Sequence, residues 1–156
     1  MRELKNVDVI IRNNSNIRSR QWWTNHGNTI KNELIKHLPK SKKKTVKACS
    51  LTLLISNDKE IQDLNREFRK KNKSTDVLSF HIDKKLQYKK KYLGDIIISQ
   101  ETAKKQAKKK KVSLNKELLL LFIHGYLHLL GYDHIEQNER KIMFSIQDKI
   151  LEKTCK

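Results

Sequence analysis

At 156 residues the chain suits a single domain spanning 1–156, long enough to bury about two-thirds of the surface its unfolded form exposes. Its 35 Lys and Arg against 17 Asp and Glu give a formal net charge of +18. That predicts a positive field drawing a polyanion such as nucleic acid, and with no run near about 18 consecutive apolar residues a membrane span is not expected.

Along the chain, Val7 to Ile11 is a β-branched run with strand character, broken by Asn13, Asn14, Ser15 and Asn16. Residues 20–38 have helical spacing through Trp23, Ile30, Leu34 and Leu38, and Pro39 closes that helix. The tryptophans 22 and 23 can stack on bases or anchor the helix to the core, and packing is the reading preferred. Lys40 to Lys44 reads as a basic loop before a strand over 45–55, where Cys49, Leu51, Leu53 and Ile55 share one face. Asn57 and Glu60 open a helix with Ile61, Leu64 and Phe68 inward. A polar loop then leads into a strand over 75–80, and the lysine-rich 84–91 reads as a hairpin before a strand over 92–99.

Ser99 is placed to cap a helix over 100–110, and Ser113 to cap the next. The lysines of the first, Lys104, Lys105, Lys108 and Lys109, form either a solvated face or a phosphate-binding patch. A closing helix over 136–152 carries Ile142, Ile146 and Ile150 on one side. The pattern predicts an α/β domain: a small mixed sheet of about four strands, with helices packed around a buried histidine-bearing helix.

That helix carries the chemistry. After Leu118, Leu119, Leu120, Leu121, Phe122 and Ile123 come His124 and His128, four residues apart and so one turn above each other on one face. Gly131 can take the left-handed conformation that ends a helix and turn His134 back towards the pair. The frame H-x-x-x-H-x-x-G-x-x-H has the zinc-ligand spacing of metzincin proteases, but Gly125 stands where their Glu base would be. Three neutral imidazoles without a fourth side-chain ligand describe a catalytic type of zinc site. Gly125 in mid-helix implies that something approaches the backbone closely, and a nucleotide beside the ion is the occupant expected. Cys49 and Cys155 are too few for a disulfide framework. Residues 1–6 lack the apolar core of a secretory signal, so a cytoplasmic protein with free thiols is expected.

Three blocks carry a family resemblance: Leu64-Asn65 with Phe68-Arg69 and Thr75-Asp76-Val77-Leu78-Ser79-Phe80; Leu93-Gly94-Asp95-Ile96; and His124-Gly125 through Leu127-His128-Leu129 to Gly131-Tyr132-Asp133-His134. In this order, over nearly the whole chain, they resemble the YbeY family of bacterial rRNA maturation factors. The resemblance implies a single-strand-specific, metal-dependent endoribonuclease acting in small-subunit rRNA maturation and ribosome quality control. It puts the metal ligands at His124, His128 and His134 and a functional arginine at Arg69. Asn72, Ser74 and His81 depart from the family's usual Asp, Pro and Pro, which implies a less constrained Arg69 loop.

The expected chemistry is phosphodiester cleavage at a Zn2+ site, with another divalent transition metal as the alternative ion and Arg69 stabilising charge on the phosphate. Asp133 would orient an imidazole or accept a proton. Lys42, Lys43 and Lys44, and Lys108, Lys109 and Lys110, would hold single-stranded RNA, expected to be rRNA on the ribosome, by its backbone. Two other readings are a metzincin-like metallopeptidase and a non-catalytic ribosome-binding factor with a structural metal. The oligomeric state is not legible in the sequence.

Overall fold

The computed structural model describes residues 7–12 and 18–155. In chain order these form β1 (Val7–Ile11), α1 (Arg20–His37), α2 (Lys40–Ala48), β2 (Ser50–Ser56), α3 (Asp58–Arg69), β3 (Val77–His81), α4 (Lys84–Lys90), β4 (Tyr92–Ser99), α5 (Gln100–Lys110), α6 (Leu114–Leu129) and α7 (Gln137–Thr154). The expected break at residues 13–16 and the start at 1–6 lie outside the described residues.

The strands form one mixed sheet in the order β1-β2-β4-β3. β1, β2 and β4 run parallel, Val9 opposite Leu53 and Leu53 opposite Ile96, while β3 joins the edge antiparallel with Leu78 opposite Ile97. Side chains alternate across a strand, so β2 turns Leu51, Leu53 and Ile55 to one face. There they join Ile96 and Ile98 in a core shared with Trp23, Ile30 and Leu34 of α1 and Phe122, Ile123 and Tyr126 of α6. Trp23 is therefore a packing residue, edge-on to Phe122 at 6.0 Å. The opposite face carries a small cluster of Ile61, Leu78 and Ile97 under α3.

Capping follows the sequence closely. The side chains of Ser19, Asn57, Ser99 and Ser113 accept hydrogen bonds from the backbone N–H of Trp22, Glu60, Thr102 and Lys116, satisfying donors that a helix start leaves open.

Two lysine-rich stretches differ from expectation. Residues 40–44 are the first turns of α2, with Val46 fully buried, and β2 starts only at Ser50, leaving Cys49 as the buried cap. Residues 84–90 form α4 with Asp83 capping, and Lys91 ends it at φ 52°. Lysine and alanine are good helix formers, and both stretches follow that preference. The apolar stripes also sit one step away from expectation at their ends. Phe68 is 63% exposed and Ile142 55% exposed, whereas Met143 is the buried residue of that turn in α7.

Candidate metal centre

α6 is buried on nearly every side, with Leu118, Leu119, Leu121, Phe122, Ile123, Tyr126 and Leu127 in the core, as expected of a helix apolar all round. Its one buried acid, Glu117, is held by Lys110, whose ammonium donates to both carboxylate oxygens at 2.9 and 3.0 Å. At the other end, the Gly131 N–H donates to the His128 carbonyl and the Tyr132 N–H to that of Leu127, each at 3.0 Å. This is a Schellman ending, with Gly131 at φ 95° in the position that favours glycine. The remaining carbonyl of Leu130 accepts from Lys42 Nζ.

The turn so made carries the chain back, and His134 arrives beside the first two histidines. One ligand atom from each of His124, His128 and His134 lies within 4.8 Å of the others, with ring centroids 4.6, 5.4 and 5.2 Å apart. The Nε2 atoms of His124 and His128 are 3.1 Å apart. Two nitrogens, each about 2.0–2.1 Å from a tetrahedral zinc, would be separated by about 3.3 Å. The pair therefore already spans one edge of such a site.

Contacts behind the rings set which nitrogens face inward. His124 Nδ1 is 2.8 Å from Oε1 of Gln147 on α7. A side-chain carbonyl can only accept, so Nδ1 carries the proton and Nε2 keeps its lone pair. His128 Nε2 faces His124 Nε2, and Phe144 stacks near His134 at 6.2 Å. Burial is the largest influence lowering the His124 and His128 pKa values below 6.5, helped by the neighbouring imidazoles. Neutral rings are what a metal needs. The geometry of the three rings and the tautomer of His124 fit an ion such as zinc, held by these three residues.

Gln147 was not among the expected site residues. Its signal was a polar residue on the inward side of α7, between Met143 and Ile150, and it is 8% exposed. The side chain that touches the His124 ring is that of Gln147. Asp133 instead accepts from the backbone N–H of His134 at 2.7 Å and so shapes the turn.

Arg69 ends α3 and reaches the free edge of β3, donating to the Ser79 carbonyl at 2.8 Å with its guanidinium 5.3 Å from the Phe80 ring centroid. Ser79 Oγ donates to the carbonyl of Gly125, next to His124, at 3.2 Å. Arg69 is thus tied to the histidine helix through Ser79. Its loop is not loose: Asn65 Nδ2 donates to the Lys73 carbonyl, Gln62 to Asn72, and Ser74 to Asp58.

Gly125 corrects the expectation of nucleotide space at that position. A Cβ there would lie 2.8 Å from Ile96 Cγ2 and 3.1 Å from Ser79 Oγ. The close approach is that of the sheet, so this glycine serves helix-on-sheet packing.

The lysines divide. Lys42 sits at the end of α6 and lines a cleft with His128, while Lys43 is half-buried and Lys44 exposed on α2. Lys108 and Lys109 are exposed at the end of α5, and Lys110 is engaged by Glu117. Seven residues of helix, about 10 Å of rise, separate Glu117 from His124, so the 108–110 group belongs to the far end of α6.

Among the described residues no helix is long and apolar enough to cross a membrane. The family described as Endoribonuclease YbeY matches residues 10–155. The Endoribonuclease YbeY of Pelagibacter ubique is 46% identical over 123 residues, covering 78% of this chain and 80% of that protein. That of a Sulfurihydrogenibium species is 49% identical over 108 residues, 67% of this chain and 70% of its own length. In three dimensions, the solution structure of a Thermotoga maritima protein matches with a TM-score of 0.65 at 26% identity, covering 95% of this chain and 88% of the other. A family match over nearly the whole chain, joined by relatives 46% and 49% identical over their aligned 123 and 108 residues, places this protein in the YbeY endoribonuclease family.

Proposed function

We propose that this chain is a metal-dependent endoribonuclease that cuts single-stranded RNA, with zinc as its ion and ribosomal RNA as its substrate in the cytoplasm. The observation that carries the reading is the three-histidine cluster, with the His124 and His128 Nε2 atoms 3.1 Å apart and the His124 ring held from behind by Gln147. The endoribonuclease names of its relatives and the net charge of +18 support an RNA substrate. Two free cysteines accord with a reducing compartment.

His124, His128 and His134 would hold the ion, which when bound supplies Lewis-acid polarisation of a phosphoryl oxygen and activation of water. Gln147 holds the His124 ring in its tautomer, and Gly131 sets the turn that delivers His134. Arg69 spends one N–H on Ser79, leaving other donors of its fork for a phosphate. A peptide substrate is less well served. Strand addition would need the free edge of β3, where the Ser79 carbonyl is already taken by Arg69, and position 125 faces the sheet.

The test is to incubate zinc-loaded protein with end-labelled single-stranded RNA, duplex RNA and an unfolded polypeptide, with and without chelator. Cleavage of the single strand that chelator abolishes, slower cleavage of duplex and no peptide hydrolysis are expected. His128→Ala should lose most of the metal and the activity together. Peptide hydrolysis, or RNA cleavage that survives complete metal removal, would overturn the reading.

A further inference from the structure

His128 has a second neighbourhood besides the metal cluster. A cleft of about 360 Å³ opens beside it between α2, α4 and the end of α6, with Ser41, Lys42, Thr45, His81, Lys84 and Tyr88 among its lining residues. This is the volume of a small-ligand pocket. Its chemistry is one-sided: among the described residues no Asp or Glu lines it, while two lysines and two histidines do.

Nothing on the cleft wall compensates the lysines. Lys42 donates to the Leu130 carbonyl and lies 5.0 Å from the Tyr132 ring centroid, contacts that position its charge without cancelling it. Burial lowers its pKa first, and the like charge of Lys84 lowers it further. Two ammonium-bearing side chains lining one cleft, with Ser41 and Thr45 beside them, form a surface that gains by taking an anion between them. Tyr88 is 72% exposed at the rim, an aromatic face on which a base can stack.

From this juxtaposition we propose that the cleft is a nucleotide subsite, in which Lys42 and Lys84 hold the phosphate adjoining the bond to be cut and Tyr88 stacks the unpaired base. The proposal rests on the endoribonuclease reading above and adds where the RNA sits. It also gives that reading a structural source of strand selectivity. A nucleotide enters such a pocket only when it is out of the helical stack, which single strands allow freely and duplexes resist.

The test uses a nucleoside monophosphate as probe, so that it does not depend on cleavage. Zinc-loaded, isotope-labelled protein is titrated with uridine monophosphate, with uridine and with inorganic phosphate, following backbone amide shifts. The monophosphate should move the amides of Thr45, His81, Tyr88 and Gly131 and bind more tightly than either half alone. Lys84→Glu places a carboxylate opposite Lys42 and should weaken the monophosphate at least tenfold while raising KM for single-stranded RNA, with zinc content and melting temperature unchanged. Tyr88→Ala should weaken the nucleotide and leave phosphate binding as it was. Phosphate and monophosphate binding equally, or shifts confined to other surfaces, would overturn the subsite. So would an unchanged KM in Lys84→Glu protein that still cuts RNA. Monophosphate binding in the cleft by a protein that cuts no RNA would instead sink the nuclease reading and leave the pocket standing.

Discussion

Gln147 and His124 meet at 2.8 Å, side-chain oxygen to Nδ1, across the packed faces of α7 and α6. A histidine bound by metal through one nitrogen needs its other nitrogen held, and such outer partners are worth about 10–100-fold in affinity. Gln147→Leu keeps the volume and removes the acceptor. It should weaken zinc by about that factor in a competition titration with a chromophoric chelator. Gln147→Glu keeps an acceptor and should stay within a few-fold of wild type. Equal loss in both variants would mean that the residue acts through packing alone.

Burial and mutual repulsion lower the pKa values of His124 and His128 below 6.5, which ties stability and metal binding to pH in one direction. Between the unfolded value and the depressed folded values, the unfolded chain binds more protons, so stability is fully present above about pH 6.5 and declines as pH falls through that window. Protons also compete with the ion for the same lone pairs. Chelator-treated protein should melt lower at about pH 5.5 than at about pH 7.5, and zinc should bind more weakly at the lower value. His128→Asn should flatten the melting dependence, because one of the titrating groups is gone. A variant with the wild-type slope would assign that slope to other residues.

At Gly125 the expected effect is on folding. Alanine is the better helix former by about 1 kcal/mol, but its Cβ would sit 2.8 Å from Ile96 Cγ2. Overpacking of this kind costs about 1–3 kcal/mol. Gly125→Ala should therefore lower the melting temperature by a few degrees while the remaining folded protein binds zinc normally. Trimming the opposing residue in the double variant Gly125→Ala with Ile96→Val should recover part of the loss. A rise in melting temperature in the single variant would show that the sheet yields without strain.

The meeting of the three histidines was legible because their spacing is itself geometry: positions four apart share a helix face, and a glycine at 131 ends the helix. The sheet and the core face of β2 were legible for the same reason, through alternation. The failures cluster in lysine-rich sequence. Helix ends are commonly read from glycine, yet Lys70, Lys91 and Lys111 hold the left-handed positions closing α3, α4 and α5 at φ 55°, 52° and 59°. With no such punctuation, α4 resembled a hairpin and α2 a loop. Gln147 stayed hidden for another reason. A polar residue in an apolar stripe declares its partner only when a second helix is packed against it.

Arg69 unites the sequence resemblance with a contact that could be seen only in three dimensions. Its guanidinium rests on the Ser79 carbonyl and over the Phe80 ring at the exposed edge of the sheet, and neither contact is deep in the core. Arg69→Ala should therefore leave zinc content and melting temperature close to wild type. If the remaining donors of its fork meet the phosphate as charge develops, the same substitution should lower kcat by about 10²–10³. Arg69→Lys keeps the charge but not the two parallel donors and should recover only part of the rate. Arg66, paired with Asp63 at 2.9 Å on the solvent side of α3, provides the control, and Arg66→Ala should cut RNA at nearly the wild-type rate. The outcome that separates the roles is the split between kcat and KM: a rise in KM alone would make Arg69 a docking residue for RNA, whereas loss of kcat at saturating RNA would put it at the reacting phosphate.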